Sequence, residues 1–376
     1  MPQIEKLVYG GDGLMRVEGR VSFVPFSLPG EQWESGALVA ASPDRIEAKC
    51  EYFSRCGGCH YQHLDYEKQL AAKRAILEET LARLGRITPP EIAVASAEPW
   101  GYRNRIQLHF ERGQMGYHAA GSRKLIPVTH CPIASPTIEN AIGALRDMRR
   151  DAKFPRFFES VELFSNETET LVNVLKSAKP VSKRFFDWAA ERIPGATLSG
   201  LDYRVGGDTF HVSHKSFFQV NRFLVERLVE LATGEESGGH ALDLYAGVGL
   251  FTLPLSRAFE RVTAVEVVRS AVNDLTRNAP QAKAIQQSTE DYLAQLNDAP
   301  NFVLADPPRA GLGKRAVEHL LRLRAPKLTV VSCDPATLAR DLTSLIAGGY
   351  EIEGMTMIDL FPQTFHIETV TRLRLR

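Results

Sequence analysis

The stretch His240-Ala-Leu-Asp-Leu-Tyr-Ala-Gly-Val-Gly249 decides the fold of this chain. Its first half is a short, mostly apolar run, which is typical of a buried strand. Gly247 and Gly249 supply turn geometry and let the backbone approach a ligand, and a helical pattern follows. A strand, a glycine turn and a helix in this order predict an α/β fold with a cofactor loop at the strand end.

Alternating helix and strand patterns continue on both sides of this stretch. Strands are predicted at 240–244, 261–266, 301–305 and 327–332, and helices at 220–233, 249–258, 269–278, 314–323 and 335–347. Such alternation predicts a mostly parallel sheet with helices on both faces. We therefore expect a Rossmann-like domain over residues 216–376.

Two further regions are expected before this domain. Residues 1–49 show short strand patterns around a Glu18-Gly19 turn, which predict a small OB-like β-barrel. Residues 50–215 are rich in strand patterns and form the predicted central domain. They include a predicted helix over 65–84, capped by Asp65 and expected to pack on the C-terminal domain.

Composition limits the classes of function that the chain can have. Its 376 residues are 44% hydrophobic and 24% charged, as in ordinary soluble globular proteins. No apolar stretch is long enough to span a bilayer and the N-terminus lacks a signal pattern, so we expect a cytoplasmic protein without a membrane partner. The formal net charge of zero gives no support for nucleic-acid binding, although basic residues cluster at 146–156 and 372–376. A solvated surface is the alternative explanation of those clusters.

The glycine loop has the features of an S-adenosylmethionine site. Glu266 ends the next predicted strand, where a carboxylate can accept hydrogen bonds from two ribose hydroxyls. The loop lacks the third glycine of the dinucleotide fingerprint, which favours S-adenosylmethionine over NAD. A purely structural turn is the alternative.

A second motif, Asp306-Pro-Pro-Arg-Ala-Gly311, follows another predicted strand. Its prolines stiffen a turn whose carbonyls and carboxylate can read the polar edge of a flipped base. By itself the motif also fits enzymes that methylate the exocyclic amine of adenine or cytosine. Those enzymes need no thiol.

Cys333, in Ser332-Cys-Asp-Pro335, supplies a thiol at the end of a third predicted strand. Uracil C5 is a poor nucleophile, and a thiolate that adds to C6 activates it, so this cysteine favours chemistry at C5. The helix beginning near Pro335 is expected to raise the thiolate population. A base must then remove the C5 proton, and both His366 and Glu368 are candidates.

The other four cysteines precede the glycine loop: Cys50, Cys56, Cys59 and Cys131. An odd total of five in a cytosolic chain argues against a disulfide framework and favours metal binding or catalysis. Without further information the set fits zinc as well as iron–sulfur, and the nearby His60, His63 and His130 keep zinc as an alternative.

Five motifs in one order resemble the S-adenosylmethionine-dependent RNA 5-methyluridine methyltransferases, specifically the iron–sulfur branch that modifies 23S ribosomal RNA. They are Ser216-Phe-Phe-Gln-Val-Asn221, Asp243-Leu-Tyr-Ala-Gly-Val-Gly249, Asp306-Pro-Pro-Arg-Ala-Gly-Leu312, Ser332-Cys-Asp-Pro335 and Phe361-Pro-Gln-Thr-Phe-His-Ile-Glu368. The resemblance covers nearly the whole chain. Leu250 departs from members that have asparagine at that position.

The resemblance implies a role for each motif. Cys333 would be the nucleophile and Glu368 the base. The cofactor and base pocket would be lined by Gln219, Tyr245, Gly247, Gly249, Glu266 and Asp306. A [4Fe–4S] cluster would be held by Cys50, Cys56, Cys59 and Cys131, and residues 1–49 resemble a short TRAM-like RNA-binding domain.

The expected activity is thus that of a monomeric 23S rRNA uracil-C5 methyltransferase. Arg103, Arg105 and the basic run at 146–156 are expected to carry much of the phosphate contact. A tRNA uracil-C5 methyltransferase is the nearest alternative. An amino-methyltransferase and a non-catalytic RNA-binding protein are the others.

Overall fold

The structure, a computed structural model, describes residues 2–376, and the chain divides into two compact units. The first unit contains the described residues up to Ile76, with Glu98–Leu198 and Phe361–His366. The second contains Leu77–Ala97, Ser199–Leu360 and Ile367–Arg376. The predicted boundaries near 49 and 215 are a different division and stay predictions.

The strands, in chain order, are β1 (Ile4–Leu7), β2 (Gly13–Val17), β3 (Arg20–Val24), β4 (Gln32–Glu34), β5 (Ala37–Ala40), β6 (Ile92–Ala95), β7 (Arg105–Glu111), β8 (Gln114–His118), β9 (Leu125–Pro127), β10 (Phe158–Ser165), β11 (Thr170–Ser177), β12 (Ala196–Thr197), β13 (Gly200–Val205), β14 (Asp208–Ser213), β15 (Gly238–Leu244), β16 (Phe259–Glu266), β17 (Lys283–Gln286), β18 (Phe302–Ala305), β19 (Lys327–Ser332), β20 (Tyr350–Ile358) and β21 (Glu368–Leu375). The helices are α1 (Tyr66–Leu84), α2 (Pro136–Met148), α3 (Lys183–Arg192), α4 (Val225–Thr233), α5 (Thr252–Ala258), α6 (Arg269–Asn278), α7 (Thr289–Gln295), α8 (Gly313–Leu323) and α9 (Pro335–Ala347). Among these, no helix has both the length and the apolarity needed to cross a bilayer.

The first unit contains three sheets. Strands β1, β2 and β3 form one, and β4 pairs with β5 in another. The turn between β2 and β3 is Glu18-Gly19, as predicted, and both residues have positive φ, which suits the right-handed twist of a hairpin. The third sheet has six strands in the order β12-β11-β10-β7-β8-β9, and its core includes the fully buried Leu108, Leu145 and Val161.

The second unit is built on an eight-stranded sheet in the order β17-β16-β15-β18-β19-β21-β20-β6. Strand β21 runs antiparallel to both of its neighbours, and the other pairings are parallel. The prediction of a mostly parallel sheet is confirmed. The chain leaves β15 towards β16 on one side and later returns to β18 on the other. Such a reversal of strand order is where ligands bind in open α/β sheets.

The predicted elements of the second unit agree with the observed ones most closely for α6, β19 and α9. Helix α4 begins at Val225 rather than at 220, because the Asn221 side chain accepts a hydrogen bond from the Phe223 amide and holds a turn before it. The sequence did not predict helix α7 or the strands β17, β20, β21 and β6. Those strands are short or have weak alternation, so their burial depends on the neighbours that the sheet gives them.

Candidate active site

Four parallel strands end at the same edge of the eight-stranded sheet. Tyr245 follows β15, Glu266 ends β16, Asp306 follows β18 and Cys333 follows β19. Antiparallel β21 begins at this edge with Glu368. Because Ser332 pairs with Thr369, the register places Glu368 beside Cys333. The structure therefore brings residues from distant parts of the sequence to one strand edge.

Backbone geometry at the end of β15 is constrained. Tyr245 has a φ of 60°, an uncommon conformation for a residue with a side chain and one that clusters at functional sites. The Gly247 amide donates to Glu266 Oε2 at 3.0 Å, and the Val268 amide donates to Glu266 Oε1 at 2.7 Å. Glu266 thus braces the glycine loop. A carboxylate has about four lone-pair sites, so it keeps acceptor capacity for ribose hydroxyls.

The two glycines of the loop serve different purposes. A Cβ atom on Gly249 would lie 2.8 Å from Leu275 Cδ1, so this glycine allows the loop to pack on α6. A Cβ atom on Gly247 would meet nothing within 4 Å, and φ there is +55°. Gly247 therefore forms a turn next to unoccupied space, where a ligand can approach the backbone.

Asp243, at the end of β15, is a buried carboxyl with an unused oxygen. Thr252 Oγ1 donates to its Oδ2 at 2.5 Å, whereas Oδ1 is buried without a hydrogen-bond partner among the described residues. Burial raises the pKa of Asp243 to about 7, and the nearby Asp306 and Glu266 add to the rise. The free oxygen is available to a donor on a bound cofactor.

Four carboxyl groups thus influence one another at this edge: Asp243, Glu266, Asp306 and Glu368. Acidic groups gathered in a low-dielectric site favour a cationic ligand. S-adenosylmethionine carries a sulfonium and an ammonium group, whereas a dinucleotide presents an anionic pyrophosphate. The charge of the site fits S-adenosylmethionine.

Burial, followed by the carboxyls of Glu368 and Asp306, raises the pKa of the Cys333 thiol to about 12, and Arg309 partly opposes this. The expected increase in thiolate from the following helix is therefore wrong for the protein without RNA. The physical reason is local: Asp334 caps α9 and accepts hydrogen bonds from the Ala336 and Thr337 amides at 3.0 and 2.9 Å. The helix amides are directed at that carboxylate.

Glu368 is buried, and burial raises its pKa well above the ordinary value. Asp306 raises it further, whereas Arg309 lowers it. The pKa of Asp306 is itself raised to about 7 by burial. A carboxylate with a raised pKa is a stronger base than an exposed one, which suits proton abstraction.

His366, the other candidate base, has an aromatic environment in the first unit. Its ring lies 4.4 Å from the Phe365 ring and 5.4 Å from the Phe361 ring, measured between centroids. Glu368, not His366, acts electrostatically on the Cys333 thiol. The electrostatics of the site therefore favour Glu368.

The four remaining cysteines meet in the first unit. Cys50, Cys56, Cys59 and Cys131 line one cavity of about 200 Å³. Burial raises the pKa of each thiol, that of Cys131 to about 11, and the three other cysteines add to the rise at Cys59. The fold thus brings four thiols that are distant in sequence to one cavity.

The loops that carry these cysteines are held by specific hydrogen bonds. The Cys50 amide donates to Gln62 Oε1 at 3.0 Å, and the Cys131 amide donates to Glu139 Oε1 at 2.6 Å. Such bonds fix the thiol-bearing backbone whether or not a group fills the cavity.

Ligand chemistry at this cavity can be judged from its donors. Within residues 2–376, no group of three or more His, Cys, Asp or Glu side chains is placed so that it could hold a metal ion. Of the three histidines named for zinc, His130 lines the cavity and His60 and His63 do not. The four thiols share one cavity, and an iron–sulfur or zinc centre there stays a prediction from the sequence.

Arg105 does not have the exposed position that a phosphate contact requires. Its Nη2 donates to Glu162 Oε1 at 2.8 Å, and its side chain is only 11% exposed. Arg103 Nε donates to the Arg105 carbonyl, and Arg103 lines the cysteine cavity. The expectation of a phosphate contact is therefore wrong for Arg105 and stays a prediction for Arg103.

Comparison with known proteins gives a consistent result. The family model described as tRNA (Uracil-5-)-methyltransferase matches residues 202–375. An uncharacterized RNA methyltransferase of Aquifex aeolicus is 32% identical, with 99% of this chain and 98% of that protein covered. The 23S rRNA (uracil(1939)-C(5))-methyltransferase RlmD of Pseudomonas fluorescens strain Pf-5 is also 32% identical, with 98% of this chain and 92% of that protein covered. This chain belongs to the RNA uracil-C5 methyltransferase family.

A solved structure agrees with this membership. The tRNA (uracil-54, C5)-methyltransferase of Pyrococcus abyssi, crystallised with S-adenosyl-L-homocysteine, is 26% identical, with a TM-score of 0.81 and 99% of each chain covered. The α/β S-adenosylmethionine-dependent methyltransferase fold and the S-adenosylmethionine cofactor predicted from the sequence are thereby supported.

Other residues of this RNA uracil-C5 methyltransferase became visible only in three dimensions. Arg309 lowers the pKa values of both Cys333 and Glu368. Its place within the Asp-Pro-Pro-Arg motif was the only feature of the sequence that pointed to it. Thr289, at the start of α7, hydrogen-bonds the Tyr245 side chain, whose pKa burial raises to about 12. Thr289 had no clear signal in the sequence, because β17 and α7 were not predicted.

The motif that contains Gln219 lies on the loop between β14 and α4. Phe218 and Val220, the neighbours of the half-buried Gln219, are both buried, and Asn221 Nδ2 donates to the Leu360 carbonyl at 3.1 Å. Leu250, which follows the glycine loop, is buried as well.

Proposed function

We propose that this protein methylates C5 of a uridine in 23S ribosomal RNA, with Cys333 as nucleophile and Glu368 as base. The observation that carries the proposal is the grouping at one sheet edge. A thiol lies between two carboxyls with raised pKa values, beside a loop suited to S-adenosylmethionine. An exocyclic amine methyltransferase needs no such thiol.

The cofactor site is proposed to consist of Tyr245, Gly247, Gly249 and Glu266, with Gln219 and Asp306 towards the base. The fit rests on the open room at Gly247, the unpartnered Asp243 Oδ1 and the acidic character of the edge. S-adenosylmethionine, when bound, supplies an electrophilic methyl group.

The first step assigned to the chain is addition of the thiol. Cys333 must lose its proton, and the Glu368 and Asp306 carboxyls, with raised pKa values, are acceptors of suitable basicity. The sulfur then forms a bond to uracil C6, and the C5–C6 π electrons move towards C5 and the adjacent carbonyl. Arg309 places a positive charge near the reacting groups and stabilises the anionic sulfur.

The last step restores the aromatic base. Once C5 carries its methyl group, Glu368 removes the C5 proton. The electrons re-form the C5–C6 double bond and the C6–sulfur bond breaks. Because Glu368 is buried beside Cys333, bulk water has little access to this proton, and the step depends on that carboxylate.

Two RNA substrates are supported by different observations. The 23S rRNA assignment is supported by relatives named for it that cover nearly the whole chain. A tRNA substrate is the second candidate, because the Pyrococcus abyssi enzyme is named for tRNA and matches 99% of the chain. The chemistry proposed for Cys333 and Glu368 is the same for both.

We further propose that Cys50, Cys56, Cys59 and Cys131 hold a [4Fe–4S] cluster. The support is their common cavity and the all-thiol donor set. When bound, the cluster would stiffen the loops of the first unit, since methyl transfer moves no electrons. Iron and acid-labile sulfide near four of each per chain would support a cluster, whereas stoichiometric zinc would overturn it.

The finer architecture is also a proposal. Residues 1–49 would act as a short TRAM-like RNA-binding domain, 50–215 as a central cluster domain and 216–376 as the catalytic domain. The β1-β2-β3 sheet and the β4-β5 pair are compatible with a small barrel. We expect a monomer that acts in the cytoplasm, and light scattering would test its oligomeric state.

The decisive experiment measures methyl transfer from labelled S-adenosylmethionine to unmodified 23S rRNA and to unmodified tRNA in parallel. Nuclease digestion should yield labelled 5-methyluridine from the rRNA alone. Label in tRNA alone would overturn the assignment of 23S rRNA as the substrate, and the proposed mechanism would still stand. Labelled N-methyl bases, or full activity in Cys333→Ala, would overturn the mechanism.

A further inference from the structure

A small pocket in the first unit is surrounded by three arginines. Arg112 comes from the turn between β7 and β8, Arg149 follows α2, and Arg156 precedes β10. The pocket has a volume of about 30 Å³, and Glu111 is its one acidic lining residue among residues 2–376. Three guanidinium groups against one carboxylate leave a net positive pocket.

The floor of this pocket is aromatic. Phe110, Phe154 and Phe158 line it, and their rings pack with centroid separations of 5.5 to 6.3 Å. Phe154 and Phe158 are almost fully buried. An apolar floor lowers the local dielectric constant, so an anion above it interacts more strongly with the arginines than it would in open water.

Arg149 provides an unused hydrogen-bond donor. Its Nε is buried and has no hydrogen-bond partner among the described residues. The nearby acid Asp147 lies 3.4 Å from Arg146 Nε and 3.7 Å from Arg150 Nη1. A buried charged donor without a partner is unfavourable, so an acceptor placed in the pocket would offset that cost.

The turn that presents Arg112 is unusual for its sequence. Glu111 pairs with Gln114, which leaves a two-residue turn of Arg112 and Gly113 with φ values of 46° and 73°. Such turns favour Asn-Gly, and arginine in the left-handed region is strained. Arg112 Nε lies 3.7 Å from Glu111 Oε1, but both side chains are exposed, so this pairing contributes little.

We propose that Arg112, Arg149 and Arg156 form a binding site for a phosphodiester group of the RNA substrate. Guanidinium groups match the oxygens of a phosphate in charge and in the geometry of their donors. The pocket is too small for a nucleobase and admits oxyanion oxygens. The RNA part of this inference rests on the proposed function, whereas the anion site rests on the pocket itself.

The test measures binding of unmodified 23S rRNA across a series of salt concentrations. Arg149→Gln, Arg156→Gln and Arg112→Asn each remove one proposed contact, and Arg150→Gln is the matched control from the same basic run. Each pocket variant should weaken binding several-fold at low salt. Each should also reduce the slope of log K against log salt by about 0.7–0.9, the value for one lost phosphate contact. The control should keep the slope of the unmodified protein.

Two further readouts separate binding from other effects. The kcat at saturating RNA and S-adenosylmethionine should be unchanged, because the pocket is remote in sequence from the catalytic motifs. Arg112→Asn suits the turn better than arginine, so weaker binding with an equal or higher melting temperature cannot be attributed to unfolding.

The outcomes distinguish this site from the proposed function. Normal methylation with equal slopes in all four variants would overturn the phosphate site and leave the proposed function intact. Reduced slopes in the pocket variants alone, without methylation of any RNA, would support the site and overturn the proposed function. If Arg150→Gln lowers the RNA affinity and the salt slope as much as the pocket variants do, the effect comes from the overall positive charge. That result would also overturn the site.

Discussion

At the scale of single residues, the groups that we propose to be reactive have pKa values that their residue type does not predict. Cys333 is less acidic than an ordinary cysteine, and Asp306 and Glu368 are more basic than ordinary carboxyls. All three shifts have burial as their first cause. A thiol and two carboxyls that exchange one proton are suited to addition and elimination in one pocket.

Glu368→Gln should trap the covalent intermediate. The glutamine cannot remove the C5 proton, so elimination of the Cys333 thiol should slow by about 10²–10⁴-fold, the usual contribution of a general base. We expect a slowly migrating RNA–protein band on a denaturing gel with S-adenosylmethionine and unmodified rRNA. Adding Cys333→Ala to this variant should remove the band. A band that persists in the double variant would show that another residue is the nucleophile.

Asp306→Asn should stabilise the protein while abolishing activity. The folded-state pKa of about 7 exceeds the ordinary value of 3.8, so the folded protein binds this proton more tightly than the unfolded chain. Stability linked to Asp306 is therefore greatest below pH 4 and is lost as the pH rises from about 4 to about 7. Asparagine avoids the buried charge and should add about 1–3 kcal/mol at pH 8, and less at pH 5.

Denaturant unfolding at both pH values would measure this effect. Asp298→Asn is the matched control, because Asp298 is exposed and its change should stay within about 0.5 kcal/mol. A loss of stability in Asp306→Asn at pH 8 would show that the aspartate charge is compensated in the folded protein.

At the scale of elements, the turn from β15 towards α5 combines packing with ligand access. Gly249 is needed for contact with α6, and Gly247 for open room beside the backbone. Two glycines only two positions apart thus have separable roles. Glu266, at the end of β16, accepts a hydrogen bond from the Gly247 amide in the same turn. This bond connects the turn to the neighbouring strand.

Gly249→Ala and Gly247→Ala should separate these roles. The first places Cβ 2.8 Å from Leu275 Cδ1 at a φ of +92° and should destabilise the protein by about 1–3 kcal/mol. The second meets no atom within 4 Å, so it should cost about 1–2 kcal/mol of backbone strain and weaken S-adenosylmethionine binding disproportionately. Calorimetric binding and thermal unfolding measure the two effects. The distinction would be refuted if both variants lost the same amount of S-adenosylmethionine affinity for a given loss of stability.

At the scale of the whole molecule, the two kinds of cysteine lie in different units. The four cavity thiols belong to the first unit, and Cys333 belongs to the second with the proposed cofactor loop. Chemistry and structural stabilisation are thus assigned to separate parts of the chain. Metal content and cofactor binding can therefore be tested independently.

Cys56→Ser should lose iron and keep cofactor affinity. Removal of one thiol from the proposed cluster should lower the iron content sharply and destabilise the first unit, because metal binding contributes to folding free energy. The Kd for S-adenosylmethionine should change less than about twofold, since its proposed residues lie in the second unit. Cys333→Ser is the control and should keep its iron. Iron that survives in Cys56→Ser would remove that cysteine from the ligand set.

The sequence by itself determined the class of fold and indicated the groups that we propose to be reactive. Apolar runs and glycine turns are local signals, so β15, β19, α6 and α9 could be predicted from short windows. The thiol at Cys333 was informative for the same reason, because a strand end followed by Asp-Pro is a local pattern.

Only the tertiary structure decided the states and partners of those groups. The pKa of Cys333 depends on Glu368 and Asp306, which are distant in sequence and meet because β21 is antiparallel to β19. In the same way, the sequence predicted a phosphate contact for Arg105, and the fold pairs Arg105 with Glu162. Burial and electrostatic neighbours are properties of the assembled sheet, and no short segment of sequence contains them.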